Sequence, residues 1–269
     1  VRSPVGAQGA NALGIDFTVF SKLVEFSTRH SVEGRSLMLG RQEFVRLRPP
    51  RIFQRKLRRE GLDHIQLEDL QQSDGYSETF FRKLGLGEVE TMDFSDHEGA
   101  TILQDLNRPI PKELAGQFDF IFDGGTIEHV FNVPVALENV FHMLKPGGHF
   151  ISVNGLNGWA GHGMYQFNPE LVYSFWRRNA GCVVNTCQAI QRSRAFHQAV
   201  LDLQDPADGE QRIDLGDALP DGQVYLYYEI QRGSEAALMD TVLQSDYETH
   251  WRDYSNAGGT RYDQKVSSL

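Results

Sequence analysis

The chain has 269 residues, of which 40% are apolar and 23% charged, with a formal net charge of −10. That length buries a sizeable core in one large domain with additions, and the acidic balance argues against the cationic surface that general nucleic-acid binding needs. No run of about 18 apolar residues is present, so no spanning helix is predicted; the N-terminus lacks a signal-like apolar stretch, and two cysteines five positions apart fit a reducing, cytoplasmic setting.

In chain order, residues 1–14 read as a small, Gly-rich arm. Residues 15–29 carry Phe20, Leu23, Val24 and Phe26 on one helical face. Residues 1–35 are therefore set apart as an arm and helix, residues 36–232 as the principal domain, and residues 233–269 as a terminal helix and tail. Ser36 to Gly40 reads as a buried strand ended by Gly. Residues 41–73 form a basic insertion with Arg41, Arg46, Arg48, Arg51, Arg55, Lys56, Arg58 and Arg59, broken by Pro49-Pro50. Guanidinium groups suit phosphate, so a phosphorylated or nucleotide-linked small acceptor is one expected partner; a solvated helix face paired with acids is the other reading.

A helix is expected over 74–84, capped by Asp74 and stopped at Gly85. Strands follow at 88–93, 100–106 and 118–123. A helix at 134–144 is stopped by Lys145-Pro146-Gly147-Gly148, and a fifth strand spans 149–153. Asn168-Pro169 opens a helix to about 179. Residues 182–191 and 223–231 read as the last strands, with a polar insertion at 193–222.

Strands alternating with helices predict an α/β, Rossmann-like, mostly parallel sheet covered on both faces, with ligands outside the carboxyl ends of the strands. The residues at those ends are Gly40, Asp93, Asp105, Asp123 and Asn154. A carboxylate there can accept hydrogen bonds from a ribose diol or an adenine amino group. The Gly-rich, aromatic segment 155–169 follows the fifth strand and carries His162 and Tyr165, a candidate acid–base and orienting pair; His129 is a second candidate base. The absence of HExxH, of a paired Cys/His set and of EF-hand spacing leads to the expectation of no metal. The absence of GxSxG and GxGxxG argues against a serine hydrolase and a dinucleotide dehydrogenase.

The pieces VETMDFS, ILQDLN, FDFIFDGGTIEHV and ALENVFHMLKPGGHFI, between Val89 and Ile151, resemble the central block of class I S-adenosylmethionine-dependent methyltransferases. The resemblance implies a seven-stranded sheet whose last strand is reversed, with QVYLYYEIQ in that place. It implies S-adenosylmethionine as cofactor, contacted by Gly40, Asp93, Asp105, Leu106, Asp123 and Gly124, and methyl transfer to an oxygen or nitrogen of a small, sugar- or phosphate-containing acceptor. The family's Gly-rich first turn is here reduced to Gly40, followed by Arg41 and Gln42. That departure keeps a catalytically inactive binding or scaffold module as the alternative. The run GHGMYQF is similar to uncharacterised methyltransferase-like proteins of bacterial surface-glycan clusters.

Overall fold

Eight strands and six helices make a doubly covered sheet in the computed structural model, which describes residues 14–44, 49–192, 198–208, 215 and 218–260. The strands are β1 (Val32–Leu39), β2 (Leu86–Asp93), β3 (Ile102–Leu103), β4 (Phe118–Asp123), β5 (Leu144–Asn157), β6 (Val183–Gln191), β7 (Val200–Asp202) and β8 (Val224–Gln231), in the spatial order β3-β2-β1-β4-β5-β8-β6-β7. β1 to β5 are mutually parallel, while β8 runs antiparallel between β5 and β6. The expected seven strands become eight because β7, inside the stretch read as an insertion, pairs antiparallel with β6.

Period-two alternation assigns side chains to the two faces. Leu37, Leu39, Ile121 and Phe150 go to one face, beneath α4 (Val133–Met143) and α5, which begins at Pro169–Leu171 and continues as a π-helix over Val172–Asn179. Met38, Phe120, Phe122 and Ile151 go to the other, beneath α1 (Phe17–Arg29), α2 (Pro50–Arg59) and α3 (Glu78–Lys83). Asp16 caps α1 by accepting from the Thr18 and Val19 N–H groups. Phe26 stacks on Phe120, so α1 shares the core of the sheet rather than standing apart from it. α6 (Ser245–Asn256) is tied back to α5 by Ser245, whose N–H and hydroxyl both donate to Glu170.

Several elements are shorter or longer than the sequence suggests. The strand expected over 100–106 shrinks to two residues. Thr101 is engaged with Thr91 through both its N–H and its hydroxyl, and Asp105 turns the chain by accepting from Asn107. The helix expected from Asp74 starts only at Glu78, because the Asp74 carboxylate is used by the Tyr76 N–H and by Arg41. β5 reaches from Leu144 to Asn157, well past the five residues expected, since β8 pairs with it as far as Asn157. The terminal helix begins at Ser245 rather than 233. Arg46, Arg48, most of the 193–222 insertion's polar centre and both chain ends lie outside the described residues.

Candidate active site

The sheet order reverses between β1 and β4, and the carboxyl ends of β1 to β5 open on one edge. Gly40 ends β1 at φ +65°, and a Cβ there would strike Thr126 Oγ1 at 2.5 Å. Thr126 in turn donates to the Leu39 carbonyl at 2.7 Å. Gly40 is thus needed where the turns after β1 and β4 touch at the switch point. Arg41 bolts the neighbouring loops together: it pairs with Glu78 at 2.5 Å and Asp74 at 2.7 Å, donates to the Glu98 carbonyl, and covers the Tyr76 ring at 3.9 Å. Lys56 is likewise held by Glu25 and Glu60. Two of the cations considered for phosphate are therefore already neutralised within the protein.

Beyond β2 and β3 lies a cleft of about 510 Å³, lined by Phe94, Leu103, Gln104, Asp105 and Arg108 among others. Phe94 is 77% and Leu103 58% exposed, so two apolar side chains face water across it. Asp93 is the last residue of β2, with one carboxylate oxygen accepting from the Phe94 N–H at 2.6 Å. Asp105 accepts from the Asn107 N–H and side-chain amide, which hold its carboxyl below the usual range. Leu106 points the other way, into the core, and its carbonyl accepts from Asn139.

The ends of β4 and β5 are closed and polar. Asp123 is fully buried and accepts from the Thr126 and Ile127 N–H groups, Ser152 Oγ and Asn154 Nδ2. Burial pushes its carboxyl up in spite of those donors. Gly124 is packed on the Phe122 ring and Gln42. Both Asp123 oxygens are thus engaged, and they fasten the turn after β4 to β5.

Next along that turn comes Glu128, whose side chain is wholly buried and whose Oε2 accepts from the Gly155 N–H at 2.7 Å. Burial raises its pKa from the ordinary 4.5 to about 7, and the Asp123 charge adds to the effect. His162 Nε2 is 3.1 Å from Glu128 Oε1, and His129 Nε2 is 3.8 Å from the same atom. Burial, His129 and Arg192 all lower the His162 pKa. The Gly-rich loop reaches this place because Met164 and Tyr165 donate their N–H groups to the Glu128 carbonyl and Phe167 donates to Gly155. Gly163, at φ +70°, passes so close that a Cβ would lie 3.1 Å from that same carbonyl.

The structure brings His162 and His129 together, with ring centroids 5.1 Å apart, but it pairs His162 with Glu128 and not with Tyr165. The Tyr165 hydroxyl instead donates to the Phe131 carbonyl, and its ring stacks on Phe167. Asn154 serves Asp123. Sequence reasoning missed Phe94, Leu103 and Glu128. An apolar residue directly after an acidic strand end was the available sign for Phe94; nothing local announced that Glu128 would be buried.

Residues 83–152 match the family model described as a methyltransferase domain, from β2 into β5 with the strand-end acids between them. That segment is about a quarter of the chain, and it is what the chain shares with the methyltransferase domain model. No curated protein sequence matches the chain. Among solved structures, this chain is similar to the MccD protein, at 12% identity over 78% of this chain and 96% of that one, TM-score 0.43. It is also similar to the Burkholderia thailandensis 1,6-didemethyltoxoflavin-N1-methyltransferase, at 11% identity over 80% and 77%, TM-score 0.34. A variant of the 16S rRNA (adenine(1408)-N(1))-methyltransferase from Catenulisporales acidiphilia aligns at 13% identity over 82% and 93%, TM-score 0.38.

At the β2–β3 edge the two exposed apolar side chains stand beside the Asp105 carboxylate. No helix is long and apolar enough to cross a membrane among the described residues.

Proposed function

We propose that the protein transfers a methyl group from S-adenosylmethionine to an oxygen or nitrogen of a small acceptor. The observation that carries this reading is the cleft lined by Phe94, Leu103 and Asp105, with Asp93 paired to Leu103 at the end of β2, inside the segment that matches a methyltransferase domain. Asp93 would accept from the ribose hydroxyls with its oxygen not used by the Phe94 N–H, and Asp105 from the adenine amino group. Phe94 and Leu103 would sandwich the purine, gaining from apolar burial. Gly40 would let the backbone come close, while Asp123, Gly124 and Leu106 shape the floor from behind without a polar contact of their own.

The bound cofactor supplies a methyl group already activated on a sulfonium sulfur. The methyl arrives as a cation equivalent, so an acceptor O–H or N–H must give up its proton. Next to the turn after β4, burial, His129 and Arg192 lower the His162 pKa, which favours the neutral ring with a lone pair for that proton. Glu128, with its pKa near 7, can share it. His129 and Tyr165 border the same place, Tyr165 as the residue that fixes the loop through Phe131.

The sugar or phosphate character of the acceptor draws on α2 alone, where Arg51 and Arg58 are exposed. Calorimetric titration with S-adenosylmethionine and S-adenosylhomocysteine tests the proposal. Micromolar binding that weakens in Asp93→Ala and Phe94→Ala is expected. Absence of binding at high ligand concentration would instead favour the binding or scaffold module. With an acceptor in hand, His162→Ala is expected to reduce kcat by about 100-fold with cofactor affinity unchanged.

A further inference from the structure

Two buried atoms meet in the loop after β4 without satisfying each other. Glu128 Oε1 and His162 Nε2 are 3.1 Å apart, both shielded from water, and neither makes a hydrogen bond. Leaving a buried polar atom unpaired costs about 1–3 kcal/mol, so a pair of them at contact distance calls for a third group between them. His129 Nε2 lies 3.8 Å from the same oxygen, and one donor atom from each of the three residues falls within 4.8 Å of the other two. The second oxygen of Glu128 is held by the Gly155 N–H, which fixes the carboxylate and aims Oε1 at the imidazoles.

We propose that Glu128, His129 and His162 form a binding site for a divalent transition metal of the zinc type. Two imidazoles and one carboxylate are a borderline donor set that suits zinc, whereas magnesium and calcium prefer oxygen alone. Donors about 2.0–2.1 Å from a tetrahedral ion stand roughly 3.3 Å apart, and the observed 3.1 and 3.8 Å bracket that spacing. Small side-chain adjustments suffice, since His129 is on the surface. The His129 side chain is 49% exposed, so a fourth position on its side of the site can take water or an acceptor heteroatom. The ion would also clamp the Gly-rich loop to the turn after β4, reinforcing the bonds from Met164 and Tyr165 to the Glu128 carbonyl.

Binding of the ion stands independently of methyl transfer. Only its consequence rests on that reading: a metal at the open position lowers the proton affinity of a bound hydroxyl or amine, and so takes over from His162 the task of releasing the acceptor proton.

The test uses the full chain after chelator treatment, without cofactor. Zn²⁺ is titrated by calorimetry, Co²⁺ by visible absorption, and Mg²⁺ serves as the hard-ion control. The expected result is one equivalent of Zn²⁺, d–d bands of low-coordinate Co²⁺, a raised Tm with Zn²⁺, and no response to Mg²⁺. Affinity should fall by about 100-fold in Glu128→Gln, which keeps an acceptor for the Gly155 N–H and therefore the fold, and similarly in His162→Ala. His64→Ala and His250→Ala, at exposed sites, should bind as the parent does. Parent protein that binds Zn²⁺ no more tightly than Glu128→Gln, or loss of binding in the His64 and His250 variants instead, overturns the proposal. Titrating S-adenosylmethionine into the same preparation reads the methyltransferase reading separately.

Discussion

The two halves of the sheet's carboxyl edge are built in opposite ways. Around β2 and β3 the surface is open and apolar, with Phe94 and Leu103 in water and the Asp105 carboxylate beside them. Around β4 and β5 it is closed and charged, with Asp123 and Glu128 fully buried and His162 set against Glu128. The open half has little to lose by mutation in the absence of ligand and much to gain by covering its apolar surface. The closed half carries the cost of desolvated carboxylates in the folded protein, and that cost is what shifts their protonation. One edge is thus suited to binding and the other to handling protons or a cation.

The sharpest way to break this contrast is Asp123→Ala. It strips the acceptor from two N–H groups, Ser152 and Asn154 in the interior, and stability is expected to fall by about 3 kcal/mol in urea unfolding. A loss as small as that of a surface substitution would show that the closed half is not held by this carboxyl.

Next in size is the pH dependence. Glu128 has a folded pKa near 7 against an ordinary 4.5, so the native state binds the extra proton in that interval. Stability from this group is fully present below pH 4.5 and is lost as pH rises through 7, an effect on the order of 3 kcal/mol for complete transfer. Glu128→Gln is expected to flatten that part of the stability–pH curve. An unchanged slope would assign the titration elsewhere.

For the open half, Phe94→Ala is expected to weaken S-adenosylhomocysteine binding by tenfold or somewhat more, about 1.5–2 kcal/mol, with Tm unchanged because the ring is exposed in the free protein. A drop in Tm without a drop in affinity would reverse the distinction between the halves. The smallest effect is expected from Arg41→Ala. Its ion pairs with Asp74 and Glu78 are near the surface, so its removal should cost about 1 kcal/mol or less and loosen the loops after β1 and β2, visible as faster amide exchange over residues 74–78 and 96–99.

Much of this protein was legible in its sequence. Local apolar runs located β1, β2, β4, β6 and β8, because a buried strand advertises itself by its own side chains. The position of Asp93 and Asp105 at strand ends followed from the same reading. β7 was not legible: Val200–Asp202 is only three residues long within a polar stretch, and becomes a strand by pairing with β6. The partner of His162 was misjudged for a related reason. Tyr165 is close in sequence, but the loop folds back so that Tyr165 reaches the Phe131 carbonyl and His162 reaches Glu128, some thirty positions away.

The sequence by itself determined the alternation of strand and helix, the acidic strand ends and the glycines that let turns close, since these depend on side-chain periodicity and backbone sterics over a few residues. Only the tertiary structure decided which carboxylates are buried, which remain open to a ligand, and which three donor atoms converge beside β5. Desolvation and convergence are properties of the space between distant segments, and no local pattern encodes them.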